Sequence, residues 1–501
     1  MPKKAPFQDL ALRPPGKGVP LFRWFYDELR DAITSGRLKP GARLPSTRNL
    51  SRQYGVARGT VLGTFEQLLA EGYVESRVGS GTYVAGNLPD RFLASSAVEA
   101  EPIALRAGGA KVAGLSKWSA KLSRPFPLLS PHEVGRPFQP NQPALDLFPS
   151  ALWGQIAGRR LRRASASLLN GVDSAGYRPL REAIAVYLGS ARGVRCTADQ
   201  VVVTTGTQQV LDLTARLLLN PADCAWMEDP GYSGAVAALE SAGAKVIPIP
   251  VDESGFDVAK GLRRAPSARL AYTTPAHEFP LGVSLSLERR MALLRWAHEA
   301  GAWIIEDDYD SEYRFVGRPL AALQGLDTAG CVIFTGSFNK TLFPGLRLGY
   351  AVLPERLVEP FCRARSLGDR FSPALDQAVL CDFIVEGHFG QHIRRMRQAY
   401  GERLGALLEA AKGPLAGLLN IVPIQAGMQT VGYLDTSLPD CEIEAAAEKE
   451  GITVMALSAF QIRRRDINGL VLGFASAPPA AIREGAERLS CVIRQWIRRK
   501  G

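Results

Sequence analysis

Apolar positions between Pro20 and Val84 first recur at helical spacing and then alternate. The segment "VPLFRWFYDELRDAITSG" repeats large apolar side chains every three or four residues, which predicts an amphipathic helix. Ser46 is placed to cap a second helix running through Leu50, and a tight turn at Gly55 separates it from a third over Ala57 to Glu71. In that third helix Val61, Phe65, Leu68 and Leu69 are expected on one apolar face, leaving Arg58, Gly59 and Thr60 at its exposed amino end. "YVESRVGSGTYV" then alternates around Gly79 and Gly81, as a two-stranded ribbon would.

The pattern lapses after Gly86. Residues 86–140 are rich in Ala, Ser, Pro and Gly and read as a linker, with "LSKWSAKL" a candidate short docked helix. Beyond Asn141, strand-like and helix-like segments alternate. "QVVVTTG" precedes "TQQVLDLTARLLL", "AWMEDPG" precedes "YSGAVAALESAG", "RLAYTTP" precedes "SLERRMALLRWAHEAG", and "AWIIEDD" and "CVIFTGSF" follow. Apolar strands followed by helices predict a mostly parallel sheet covered on both faces, with ligand chemistry just past the carboxyl ends of its strands. The expected organisation is a reader over 15–85, a linker over 86–140 and an α/β domain over 141–501.

With 501 residues, 46% hydrophobic and 22% charged, the chain has enough apolar material for a large core in more than one domain, which excludes a disordered or fibrous protein. No stretch approaches a membrane span, and the polar, proline-containing start has no signal core. Seven scattered cysteines without a CxxC pair fit a reducing compartment and leave no zinc site, so a cytoplasmic protein that binds no metal is expected. Charge sharpens the division of labour. Residues 1–85 hold 13 Lys/Arg and 7 Asp/Glu, so 13 − 7 = +6 of the net +11 sits in the reader, which points to a polyanionic partner there.

Arginines at the amino end of a helix after a tight turn suit the major groove, and glycines in a ribbon let backbone approach phosphates. "GRLKPGARLPSTRNLS", "GVARGTV" and "GSGTYV" resemble the winged helix-turn-helix of GntR-type bacterial regulators across about sixty-five residues. The resemblance implies double-stranded operator DNA as partner. It implies contacts from Arg43, Ser46, Thr47, Arg48 and Arg58, support from Thr60, and a wing position for Gly79. Where many relatives carry Ser or Thr after the recognition arginine, this chain has Gly59.

The second domain offers the groups that pyridoxal phosphate needs: an amine, an acid for the ring nitrogen, phosphate donors and a stacking ring. Lys340 lies in "GSFNKTLFPGLRLGY" with Ser337 and Arg347 as candidate phosphate donors. Gly206, Thr207 and Gln208 open a helix with free amides, Asp307 and Tyr309 follow an apolar strand, and Tyr232 sits on a Pro-Gly turn. Each of these alone also fits an ordinary turn, cap or packing role. In this chain order they resemble fold-type I aminotransferases, and "TPAHEFPLGVSLSLERR" with "EDDYDSEYRF" narrows the resemblance to the MocR/GabR family.

That resemblance implies Lys340 as the Schiff-base lysine, Asp307 as pyridinium partner, Tyr309 as partner of the phenolate oxygen and Tyr232 as stacking ring. It further implies Thr207, Ser337 and Arg347 as the phosphate set, His277 in the loop beside the cofactor, a small C-terminal α+β subdomain and a head-to-tail homodimer. Two family positions differ: Asn339 stands where Ser is common and Glu278 where Gln is common. Transaminases of this fold carry a carboxylate-clamping arginine near "INGLVLGFAS", where this chain has Val471 and, nearby, only Arg463, Arg464 and Arg465. The expectation is a transcription regulator that senses pyridoxal phosphate, an amine or an amino acid through Lys340, ahead of a working aminotransferase with a DNA-binding appendage. A DNA-binding dimer with a vestigial cofactor site is a third reading.

Overall fold

The computed structural model of the protein describes residues 11–16, 18–77, 80–88, 114, 135–317 and 320–500, and the chain divides into two compact units between Ala113 and Gly114. The candidate helix at 115–122 and most of the 86–140 linker lie outside the described residues.

The first unit is built from α1 (Leu21–Thr34), α2 (Thr47–Tyr54), α3 (Arg58–Ala70), β1 (Val74–Arg77) and β2 (Gly81–Val84). Trp24, Phe25, Leu29 and Ile33 of α1 meet Leu50 of α2 and Val61, Phe65 and Leu68 of α3 in one core. The cap at Ser46 forms, its Oγ accepting from Asn49 N at 3.3 Å, and α2 stops at Gly55 with φ 64°. One expectation for α3 fails: Leu69 is 46% exposed, and Thr64 completes the buried face instead. Positions 61, 64, 65 and 68 form a narrow stripe, and each further residue turns about 100° around the helix, which carries Leu69 out of it. The Thr64 hydroxyl is accommodated by donating to Thr60 O at 3.0 Å. β1 and β2 pair antiparallel from Val74↔Val84 to Arg77↔Gly81.

The second unit centres on an eight-stranded sheet. Its strands are β3 (Val201–Thr204), β4 (Cys224–Asp229), β5 (Lys245–Asp252), β6 (Gly255–Phe256), β7 (Leu270–Thr273), β8 (Trp303–Asp308), β9 (Val332–Ser337) and β10 (Gly349–Val352). The order is β3-β10-β9-β8-β7-β4-β5-β6. β4, β5, β7, β8 and β9 are parallel, and β3 runs with them because both it and β9 pair antiparallel with β10. The central strands β7, β8 and β9 are buried along nearly all their length, as a sheet covered on both faces requires.

A second, antiparallel sheet of β11 (Asn420–Ile421), β12 (Gln429–Tyr433), β13 (Met455–Ala456) and β14 (Gly469–Gly473) has the order β11-β12-β14-β13. It packs with the long helices His388–Lys412 and Pro479–Lys500 as the C-terminal α+β part. The chain joins this unit ahead of Asn141: Phe138 is fully buried, and its carbonyl accepts from Gly473 N at 2.8 Å. Among the described residues no helix is long and apolar enough to cross a membrane.

Candidate functional site

In the first unit Arg58 starts α3 and Arg48 lies in the first turn of α2, both exposed, while Thr47 and Thr60 are half-buried at the same helix starts. Ser46 serves as the cap. Arg43 is exposed beside the wing: a Cβ on Gly81, at φ 114°, would come within 3.1 Å of its Nε. Gly79 lies outside the described residues. Sequence reasoning passed over Arg77, whose guanidinium stacks 4.6 Å from the Tyr83 ring centre and keeps a cation on the ribbon.

In the second unit most of the candidates gather because they lie at or just past the carboxyl ends of strands running in the same direction. Thr207 opens the helix after β3, Tyr232 caps the helix after β4, His277 follows β7, Asp307 lies near the end of β8 and Ser337 ends β9. Strand ends of one direction open on one edge of the sheet, where loops and helix amino termini converge. Gly206 makes the entry after β3 possible, since its φ of 134° is closed to side-chain-bearing residues.

Asp307 is buried and accepts from Tyr272 Oη at 2.9 Å and Thr207 Oγ1 at 3.4 Å. Burial pushes its pKa up to about 7, against the opposing hydrogen bond from Tyr272. Lys340 lies in the four-residue helix Phe338–Thr341 that Ser337 caps, Ser337 Oγ accepting from Asn339 N at 3.2 Å. Its Nζ donates to Asn141 O at 2.8 Å, the Asn141 backbone being held at φ 61°. Burial lowers the lysine pKa to about 8, with Asp310 and Asp307 opposing. An amine so placed is largely neutral just above that pH, the form that attacks a carbonyl.

Tyr232 Oη donates to Gln208 Oε1 at 3.2 Å, and Gln208 is itself fixed by donating to Gly234 O at 3.0 Å. Arg347 is exposed at φ 51°, and among the described residues no carboxylate pairs with it. His277 Nδ1 sits 3.0 Å from Asp310 Oδ1 and 3.1 Å from Tyr309 Oη. One ring nitrogen serves one of these at a time. A hydrogen on Nδ1 is held best by the Asp310 carboxylate, which leaves the Tyr309 hydroxyl free to donate elsewhere. Gly427 is obligatory behind this ring, since a Cβ there would lie 2.0 Å from His277 Cε1.

The donor set fits pyridoxal phosphate. Among the described residues Asp307 is a buried carboxyl that no cation bridges, Lys340 is a half-buried amine, and Asn339 Oδ1 is buried without a partner. Thr207, Ser337 and Arg347 add two hydroxyls and a guanidinium that no carboxylate pairs among the described residues, with Thr207 and Ser337 at helix amino termini. Sequence reasoning missed Tyr272, Asp310 and Asn141. Tyr272 could have been found as a polar-tipped ring inside an apolar strand, and Asp310 as an acid three residues past Asp307. Asn141 contributes only a backbone carbonyl, which no side chain advertises.

Residues 140–489 match aminotransferases of class I and II, and residues 24–84 match bacterial regulatory proteins of the gntR family. The chain is 41% identical to the probable rhizopine catabolism regulatory protein MocR of Rhizobium meliloti, over 94% of this chain and 93% of that protein. It is 33% identical to the HTH-type transcriptional regulator TauR of Rhodobacter capsulatus, over 98% of this chain and 99% of that one. Among solved structures, LysN, the α-aminoadipate aminotransferase of Thermus thermophilus complexed with N-(5'-phosphopyridoxyl)-L-leucine, is similar at TM-score 0.70 and 27% identity, over 77% of this chain and 98% of that one.

Proposed function

Because this chain belongs to the MocR family of transcriptional regulators, in which a gntR-type reader is joined to an aminotransferase class I and II domain, we propose that it is a cytoplasmic, ligand-responsive regulator. It binds operator DNA as a head-to-tail homodimer through α2, α3 and the wing, and it holds pyridoxal phosphate in its second unit as a sensing group. The observation that carries this reading is the meeting of Lys340 and Asp307: a half-buried amine lowered to about 8 just past β9 and a buried carboxyl raised to about 7 near the end of the neighbouring β8.

When bound, pyridoxal phosphate supplies an aldehyde open to primary amines and a ring that draws electrons from them. Lys340 would offer its amine to that aldehyde as a Schiff base, and a ligand amine would compete for the same place. Asp307 would hold the proton of the ring nitrogen, and that nearby positive charge would restore the carboxylate that burial alone disfavours. Tyr309 would donate to the phenolate oxygen, Tyr232 would cover the ring, and Thr207, Ser337 and Arg347 would hold the phosphate. Binding that favours one arrangement of the protein over another then changes its affinity for DNA by the difference.

Val471 weighs against transamination as the main activity, because the side chain at that position cannot clamp a carboxylate. A visible spectrum of the full-length protein, titrated with pyridoxal phosphate, tests the reading. A cofactor band is expected in the parent protein and not in Lys340→Ala; a band unchanged by the substitution, or no band at all, refutes it. Repeated turnover of an amino acid to its keto acid supports a working aminotransferase instead.

A further inference from the structure

Val471 lies fully buried in the middle of β14, opposite Val431 of β12 and Met455 of β13. It shares one cluster with Phe279, Leu457 and Phe460, against which Tyr232 and Tyr309, the two tyrosines assigned to the cofactor, also pack. The wall beside the cofactor tyrosines is therefore apolar. None of the neighbouring arginines makes good the loss. Arg464 is engaged by Asp466 at 2.7 and 3.1 Å and donates to Val251 O at 2.6 Å, while Arg463 and Arg465 are exposed.

A second observation concerns Glu278, which is 2% exposed. One of its carboxyl oxygens accepts from Leu281 N at 2.7 Å, and the other is buried without a partner among the described residues. Burial and the neighbouring Glu228 push its pKa well up, and Arg464 only partly offsets them. The site thus adds an acid where a carboxylate ligand would need a cation. An anion brought against this wall would lose its hydration with nothing to replace it, whereas an uncharged body would gain from leaving water.

Resting on the reading that this site holds pyridoxal phosphate and senses an amine, we propose that the effector is a primary amine without an α-carboxylate. Val471 gives its uncharged body an apolar wall, and the unpartnered oxygen of Glu278 takes a hydrogen-bonding group of the ligand.

The test uses full-length protein loaded with pyridoxal phosphate and follows its visible spectrum against matched pairs: 2-phenylethylamine and phenylalanine, putrescine and ornithine, ethanolamine and serine. The most effective amine is expected to act at a concentration at least about tenfold below the most effective amino acid. A smaller gap, or a spectrum silent to every amine, overturns the inference. Failure of the underlying reading shows earlier and separately, as a protein with no Lys340-dependent band before any amine is added, and the inference falls with it. Val471→Arg is expected to reverse the preference. Because a buried arginine endangers folding, Glu278→Gln is the companion variant: it should narrow the gap within the pairs, and an unchanged gap removes Glu278 from the proposal.

Discussion

Asp307 shows how a single side chain is tuned by what surrounds it. Its pKa of about 7 stands above the ordinary 3.8, so the folded state keeps a proton that the unfolded chain releases. The stability tied to that proton is complete below about 3.8 and is lost as pH rises through about 7. In cofactor-free protein, Asp307→Asn should therefore raise the melting temperature more at pH 8 than at pH 5. The same variant should bind pyridoxal phosphate more weakly by about 1.5–3 kcal/mol, the range for a hydrogen bond to a charged group. Thermal scans at the two pH values and a cofactor titration check both parts, and equal shifts at pH 5 and pH 8 would contradict the buried-proton account. At this scale the sequence named residue types well but not their partners. Lys340 and Asp307 could be chosen from strand ends and chain order, while the Tyr272 and Asn141 contacts needed coordinates.

At the scale of elements, capping and periodicity carried most of the reading. Ser46, Gly55 and the apolar spacing of α3 mark helix starts and stops by local rules that act within a few residues. Leu69 shows where such rules end, because adjacent leucines point about 100° apart and only packing against α1 and α2 decides which is covered. In the proposed DNA reader, the exposed amino end of α3 is the surface offered to a major groove. Arg58→Ala should weaken operator binding by about 1–3 kcal/mol if the guanidinium reads a base, with relaxed preference at that position. Binding titrations on operator and single-base variants measure this, and unchanged affinity would displace α3 from the recognition role. The short β10 was not read from the sequence, yet it is the strand that sets β3 beside the rest of the sheet.

At the scale of the molecule, charge and fold divide the work. The +6 in residues 1–85, from 13 basic and 7 acidic side chains, predicts DNA binding that weakens steeply with salt through counterion release. Arg48→Ala should lower affinity for operator and unrelated DNA alike and reduce the salt slope by about 1, measured by anisotropy over a salt series. A loss confined to the operator would instead make Arg48 a base reader. The sequence by itself determined the two-part architecture and the helices of the reader, because these rest on local periodicity, capping and composition, whereas Lys340 and Asp307 became the candidate amine and acid only through their chain order and the family resemblance. Only the tertiary structure decided that Asp307 is buried, that Tyr309 and Asp310 approach one nitrogen of His277, and that Val471 and Glu278 are both buried. Those properties arise from burial and from contacts between strands far apart in the chain, and burial is what sets the charge a side chain can carry.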